Sequence, residues 1–160
     1  MSRPFVVVVL ALSACAEALP PDTVCEAPAQ VHVTLASGAL LNPDTSGAPL
    51  PTEVRIVGLR DTGAFENVSF DEAWTPPAPL ADAIVATESV TLYPGESAAL
   101  DVHPSADTRS LAAVAIVRRP AGRTWRVLVP VAALPCGSAA TLALRVDEYR
   151  IERTTEDPTP

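Results

Sequence analysis

Hydrophobic and polar residues alternate along most of the chain with a period of two, the pattern of half-buried strands. Val31, Val33 and Leu35 alternate with His32 and Thr34 in the first such run. Glu53 to Arg60 (EVRIVGLR) is the second; its alternation slips at Val57-Gly58, which predicts a bulge or a close backbone approach. Ser89 to Tyr93 (SVTLY) predicts a third strand with Val90 and Leu92 facing in, and Ser97 to Val102 returns beside it. Pro94-Gly95 fills the centre of the intervening turn, a pair suited to type II geometry. Leu111 to Val117 (LAAVAIV) is continuously apolar, as for a central strand buried on both faces. Arg119-Pro120-Ala121-Gly122 turns the chain, and Trp125, Val127 and Val129 then alternate inward. Leu142, Leu144 and Val146 complete the set.

Two connections stand out. Ser37 to Pro51 (SGALLNPDTSGAPLP) is dense in Gly, Pro, Asn and Asp and reads as a long loop. Asp61 to Ala83 carries Phe65, Val68, Phe70 and Trp74 at mixed spacings, which predicts one or two short helical turns packing aromatics over a sheet edge. Seven to eight short strands with turn signals between them and no long amphipathic helix predict an all-β fold, an antiparallel β-sandwich with a short helical insertion. Seventeen prolines fit that class and would disrupt a helical bundle. Aromatics are only 4% of the chain, so Val, Leu, Ile and Ala must build the core.

The N-terminus follows a different pattern. Arg3 precedes an apolar run from Phe5 to Leu12, too short for a bilayer that needs about twenty residues. It reads as a secretion signal. The run ends in Leu12-Ser13-Ala14-Cys15, the lipobox order of an aliphatic residue, small residues and then Cys. The thiol is diacylated first, and the peptidase then needs small residues before it to reach the scissile bond. Ordinary cleavage is the alternative, because Ala14-Cys15-Ala16 and Ala16-Glu17-Ala18 also satisfy a small-x-small rule. Cysteine parity favours lipidation: with Cys15 acylated, Cys25 and Cys136 remain to pair in an oxidising compartment. That bridge would stabilise the domain by about 4–5 kcal/mol in the chain-entropy model, less any strain. Ala16 stands where an Asp would signal inner-membrane retention, so the outer membrane is the expected address. The chain divides into a leader at 1–14, a lipidated tether at 15–29 stiffened by Pro20-Pro21, a sandwich at 30–152, and a polar tail at 153–160 expected to be disordered.

Charge and chemistry narrow the function. The formal charge is −8, which repels phosphate backbones and argues against nucleic acid. Arg118, Arg119, Arg123 and Arg126 form a local basic cluster, read as a solvated hairpin end. His32 and His103 are far apart, with no ligand spacing around either, so no metal site is expected. No nucleophile elbow or phosphate loop occurs, and Asp147-Glu148 would point to opposite faces of a strand, so no catalytic residues are assigned. The covalent lipid on Cys15 is the one non-protein group expected. Within the long loop, Leu40-Leu41 either plug the end of the sandwich or present an apolar contact to a partner. A loop stiffened by Asn42-Pro43-Asp44 loses less entropy on docking.

Several of these segments, in this order, resemble the lipoproteins of type VI secretion systems, the TssJ family. They are Leu41-Asn42-Pro43-Asp44, the Gly47-x-Pro49-x-Pro51 stretch, Val54-Arg55-Ile56-x-x-Leu59-Arg60 with Phe65, and Glu88 to Glu96 (ESVTLYPGE). Ala113 to Val117, followed by Trp125-Arg126, resembles that family's paired C-terminal strands. The resemblance implies a transthyretin-like β-sandwich and an outer-membrane lipoprotein facing the periplasm. It further implies a protein that binds the periplasmic region of the inner-membrane component TssM, with a TssL-like component in the same complex. The family's partner-binding loop maps onto Leu41, Asn42, Pro43, Asp44, Thr45, Ser46 and Gly47. Val57-Gly58 and Arg118-Arg119 depart from the family pattern. A lipoprotein sandwich binding carbohydrate or another small ligand is the alternative; it would call for exposed aromatics on one face.

Overall fold

The computed structural model describes residues 28–155. The leader, the acylation candidate Cys15, Cys25 and the last five positions lie outside the described residues. Eight strands form two four-stranded sheets. The first contains β1 (Gln30–Ser37), β4 (Ser97–Val102), β7 (Ala139–Asp147) and β8 (Arg150–Arg153), in the order β4-β1-β7-β8. The second contains β2 (Thr52–Leu59), β3 (Ile84–Leu92), β5 (Ser110–Ala115) and β6 (Arg126–Pro130), in the order β3-β2-β5-β6. The inward side chains of the alternating runs meet between them: Val31, Val33, Leu35, Leu142, Leu144 and Val146 face Val54, Ile56, Leu111 and Ala113 in one buried cluster. Fully burying a Val or Leu side chain is worth about 1.5–3 kcal/mol, so these positions hold the two layers together.

The sandwich is not antiparallel throughout. β1 and β7 pair in parallel, from Gln30 opposite Ala139 to Ser37 opposite Val146. A period-two pattern reads the same from either end, so it specifies the buried face and leaves strand direction to the crossings of the chain.

The helical insertion lies on the outer face of the second sheet, where the aromatic pattern suggested a sheet edge. It holds three short helices, α1 (Gly63–Glu66), α2 (Phe70–Trp74) and α3 (Ala78–Ala83). Phe65, Ala73 and Leu80 cover Val57, Leu59, Ala112 and Val114 in a second buried cluster. This second cover is why β5 is buried at every position and apolar from Leu111 to Ala115, and why the alternation of β2 slips at Val57. Gly58 sits at the predicted irregularity: the pairing with β3 shifts register between Gly58 and Leu59. A Cβ on Gly58 would stand 3.2 Å from Val85 Cγ2.

α2 starts with a reciprocal cap. The Glu72 amide donates to Ser69 Oγ at 3.3 Å, and the Ser69 amide donates to Glu72 Oε2 at 2.8 Å. The Ser69 amide first, and then the Ser69 hydroxyl, which also donates to Glu72 Oε2 at 2.8 Å, hold the Glu72 carboxyl below its ordinary value. Arg126 leaves the basic cluster that the sequence suggested. Its guanidinium donates to the carbonyls of Phe65, Glu66 and Val68 at 2.9, 2.6 and 2.9 Å, which ties the C-terminal end of α1 to β6.

Strand direction sorts the connections. The β1–β2 loop, the β3–β4 turn, the β5–β6 loop and the β7–β8 turn gather at one end. The first described residues, the β4–β5 connection and the β6–β7 connection with Cys136 gather at the other.

Candidate functional site

The long loop divides into a buried base and an exposed tip. Leu41 is fully buried in the main core, the plugging half of the dileucine pair, whereas Leu40 beside it is 54% exposed. Asn42 is also buried, with the left-handed φ of 44° that Asn tolerates better than most residues. Its Oδ1 accepts from the Arg118 amide at 2.8 Å and its Nδ2 donates to the Ile116 carbonyl at 3.3 Å. The side chain thus pairs with backbone just past the end of β5. The Asn42 amide donates to Glu148 O at 2.7 Å, the Leu50 amide closes the base on Leu41 O at 2.9 Å, and Tyr149 Oη donates to Pro43 O at 2.8 Å. Glu148 itself turns at φ 47°, so Asp147-Glu148 ends a strand and does not continue along it.

Beyond this base, Asp44 organises the tip. Its Oδ1 accepts from the Ser46 amide and hydroxyl, each at 2.7 Å, and from the Ala48 amide at 3.0 Å. The Ser46 hydroxyl first, then the Ala48 and Ser46 amides, hold the Asp44 carboxyl below its ordinary value of 3.8. Gly47 takes φ 88°, which favours glycine. Thr45, Ser46, Gly47, Ala48 and Pro49 are exposed. Of the seven residues expected to meet a partner, Thr45 to Gly47 are therefore presented, while Leu41 and Asn42 are committed to holding the loop.

Tyr93, at 51% exposure, is the other large hydrophobic residue that stands out to solvent among the described residues, and it lies at the same end. Its turn is fastened to the loop: Ser37 Oγ donates to Tyr93 O at 2.6 Å, and the Gly95 amide donates to Gly38 O at 3.2 Å. Gly95 has φ 74°, consistent with the type II turn expected of Pro94-Gly95. Arg118, Arg119 and Arg123 are exposed on the neighbouring β5–β6 loop. The end thus combines a preformed polar tip, two apolar side chains and three cations. Such a surface is suited to docking a protein. Tyr93 was legible as the exposed partner of inward Leu92, but its place beside the loop was not.

Elsewhere, His32 is exposed on β1 with Nδ1 2.8 Å from Asp101 Oδ1, a contact that leads the lowering of the Asp101 pKa. His103 is exposed at the opposite end from the loop. Among the described residues, no group of three or more His, Cys, Asp or Glu is placed to hold a metal ion, and no helix is long and apolar enough to cross a membrane. An open depression of about 350 Å³ is lined by Thr141, Ala143, Arg153, Thr154 and Thr155, with no aromatic ring in its wall. Cys136 is disulfide-bonded.

Comparison with known proteins points one way. Residues 29–149 match the family model described as type VI secretion lipoprotein, VasD, EvfM, TssJ, VC_A0113. The crystal structure of the T6SS lipoprotein TssJ1 from Pseudomonas aeruginosa is similar with a TM-score of 0.70 and 25% identity, over 83% of this chain and 99% of that one. Serratia marcescens Lip, described as a membrane-bound component of the type VI secretion system, shares the fold with a TM-score of 0.73 at 16% identity, over 81% and 100% of the two chains. A chain in the structure described as the T6SS protein TssM C-terminal domain from EAEC also shares it, with a TM-score of 0.70 at 22% identity, over 79% and 98%. No curated protein matches the sequence.

Proposed function

The chain belongs to the type VI secretion lipoprotein family, and from that premise we propose that it anchors the envelope-spanning complex of such a system. In this reading it is acylated at Cys15, sits on the outer membrane facing the periplasm, and binds the periplasmic region of a TssM-like inner-membrane protein. It does so without catalysis. The observation that carries the reading is the opposition of two ends. The chain leaves the tether at one end of the sandwich, and the preformed Asp44–Ala48 tip, Leu40 and Tyr93 stand at the other. Strands of eight or nine residues separate those ends by about 25 Å. A domain hung from one membrane thereby presents its docking surface toward a protein reaching up from the other. The fold shared with a chain in a TssM-containing structure supports the same partner.

The test titrates the domain from Leu19 onward against the periplasmic region of the TssM-like protein, and compares Thr45→Arg. Thr45 is exposed at the tip, so the bulky cation should weaken binding at least tenfold and leave the melting temperature unchanged. Unchanged affinity removes the loop from the interface. Membrane fractionation of Cys15→Ser checks the anchor: the variant should leave the outer-membrane fraction when its partners are absent.

A further inference from the structure

We propose that the disulfide at Cys136 joins it to Cys25 and so moves the membrane attachment point from the start of β1 to both β1 and β7. The inference rests on the lipid-anchor reading above. Cys136 is disulfide-bonded and is the one cysteine among the described residues, which leaves Cys15 and Cys25 as the chain's other two. A Cys15 sulfur held in a thioether to lipid has no thiol to pair.

The parallel register supplies the second observation. Gln30 lies opposite Ala139, and its amide donates to Ser138 O at 3.2 Å, so the chain enters β1 and β7 side by side and in the same direction. Cys136 lies three residues before Ala139 and Cys25 five residues before Gln30, on the same side of the paired ends. Cys25 is also three residues before Pro28, a reach of about 10 Å, which spans the about 4–7 Å between Cα atoms that a disulfide requires. An antiparallel β1–β7 pair would have placed the two cysteines at opposite ends of the domain.

The bond forms by two exchanges. The thiolate of one cysteine attacks a disulfide oxidant of the export compartment and releases one thiol. The second thiolate then displaces the other, giving Cys25–S–S–Cys136 and the oxidant reduced by two electrons. The leash between lipid and domain then ends at Cys25, ten residues beyond Cys15. Its extended reach falls from about 50 Å, measured to Gln30, to about 35 Å. Tension on the lipid then enters β1 and β7 together, the two middle strands of the first sheet.

The experiment uses the full lipidated chain carrying Glu17→Gln, bound to phosphatidylethanolamine–phosphatidylglycerol vesicles and cut with a Glu-specific protease. Glu26 is then the one cleavage site between Cys15 and β1. Mass spectrometry of the same sample, with and without reductant, reads the cut, the lipid and the bridge. After cleavage at Glu26 the domain should remain on the vesicles and leave only when dithiothreitol is added. The unreduced digest should contain a Cys25–Cys136 cross-linked peptide. Release without reductant, retention after it, or Cys136 bonded to another chain overturns the inference. A lipidated chain with Cys25 and Cys136 both alkylated as free thiols overturns the leash alone; a bridged chain without lipid on Cys15 overturns the anchor reading.

Discussion

Asn42 falls within the loop that the family resemblance assigns to the partner, yet its side chain points into the protein and bonds backbone beyond β5. Replacing it with alanine should therefore act on stability before it acts on binding. Asn42→Ala removes the acceptor of the Arg118 amide and the donor to the Ile116 carbonyl, at 2.8 and 3.3 Å. Leaving part-buried backbone groups unpaired costs about 1–3 kcal/mol. The φ of 44° adds about 1 kcal/mol, because alanine tolerates the left-handed region less well than asparagine. The sum is about 2–4 kcal/mol, and a domain of this size loses about 3–4 °C of melting temperature per kcal/mol, so the transition should fall by about 10 °C. Thermal unfolding followed by circular dichroism measures this directly. Asn42→Gly separates the two causes: it keeps the permissive backbone, loses both hydrogen bonds and should fall by less. Partner affinity measured well below both transitions should change little compared with Thr45→Arg. A melting temperature for Asn42→Ala within about 2 °C of the parent would refute the reasoning and return Asn42 to the interface.

Other substitutions probe other parts of the same architecture. Asp44→Ala should leave the melting temperature nearly unchanged, since the side chain acts within an exposed tip, but should weaken partner binding through a less ordered loop; calorimetric titration beside thermal unfolding checks both. Because the folded-state pKa of Asp44 is lowered, its contribution to loop order is fully present above its ordinary value of 3.8 and is lost as pH falls through the lowered value. The Ser46 and Ala48 amide resonances should accordingly hold their positions at neutral pH and shift only below about pH 4. Arg126→Met removes three charge-assisted bonds to the end of α1 and its linker, and should cost about 1.5–3 kcal/mol in urea unfolding, with amide exchange quickening first around residues 63–70. Gly58→Ala brings a methyl group to 3.2 Å from Val85 in a buried strand and should destabilise by about 1–3 kcal/mol, read from the urea midpoint.

Much of this protein is written in local pattern. The period-two runs placed β1, β2, β4 and β7 close to their observed bounds, because a half-buried strand must put every second side chain against the core. The slip at Val57-Gly58 marked the register shift opposite β3, and Pro94-Gly95 marked its turn, since each depends on backbone geometry that few residues adopt. The capping box of Ser69 and Glu72 at the start of α2 is also a local feature, but it is established here by the structure alone.

What the sequence determined by itself was the place of seven of the eight strands, the buried faces, the turns and the family to which the chain belongs, all carried by neighbouring residues or by their order; the start of β3 at Ile84 and the short β8 were not among them. Tertiary structure alone decided the rest. The parallel pairing of β1 with β7 depends on strand direction, which alternation does not encode. The outer cover of β5 depends on where the insertion folds back, and the division of the loop depends on Ile116, Arg118 and Tyr149, residues 74 to 106 positions away in the chain. A loop composition dense in Asn, Pro and Asp says that the chain turns there. Whether each polar side chain faces water or bonds another strand's backbone is settled by what the fold brings beside it.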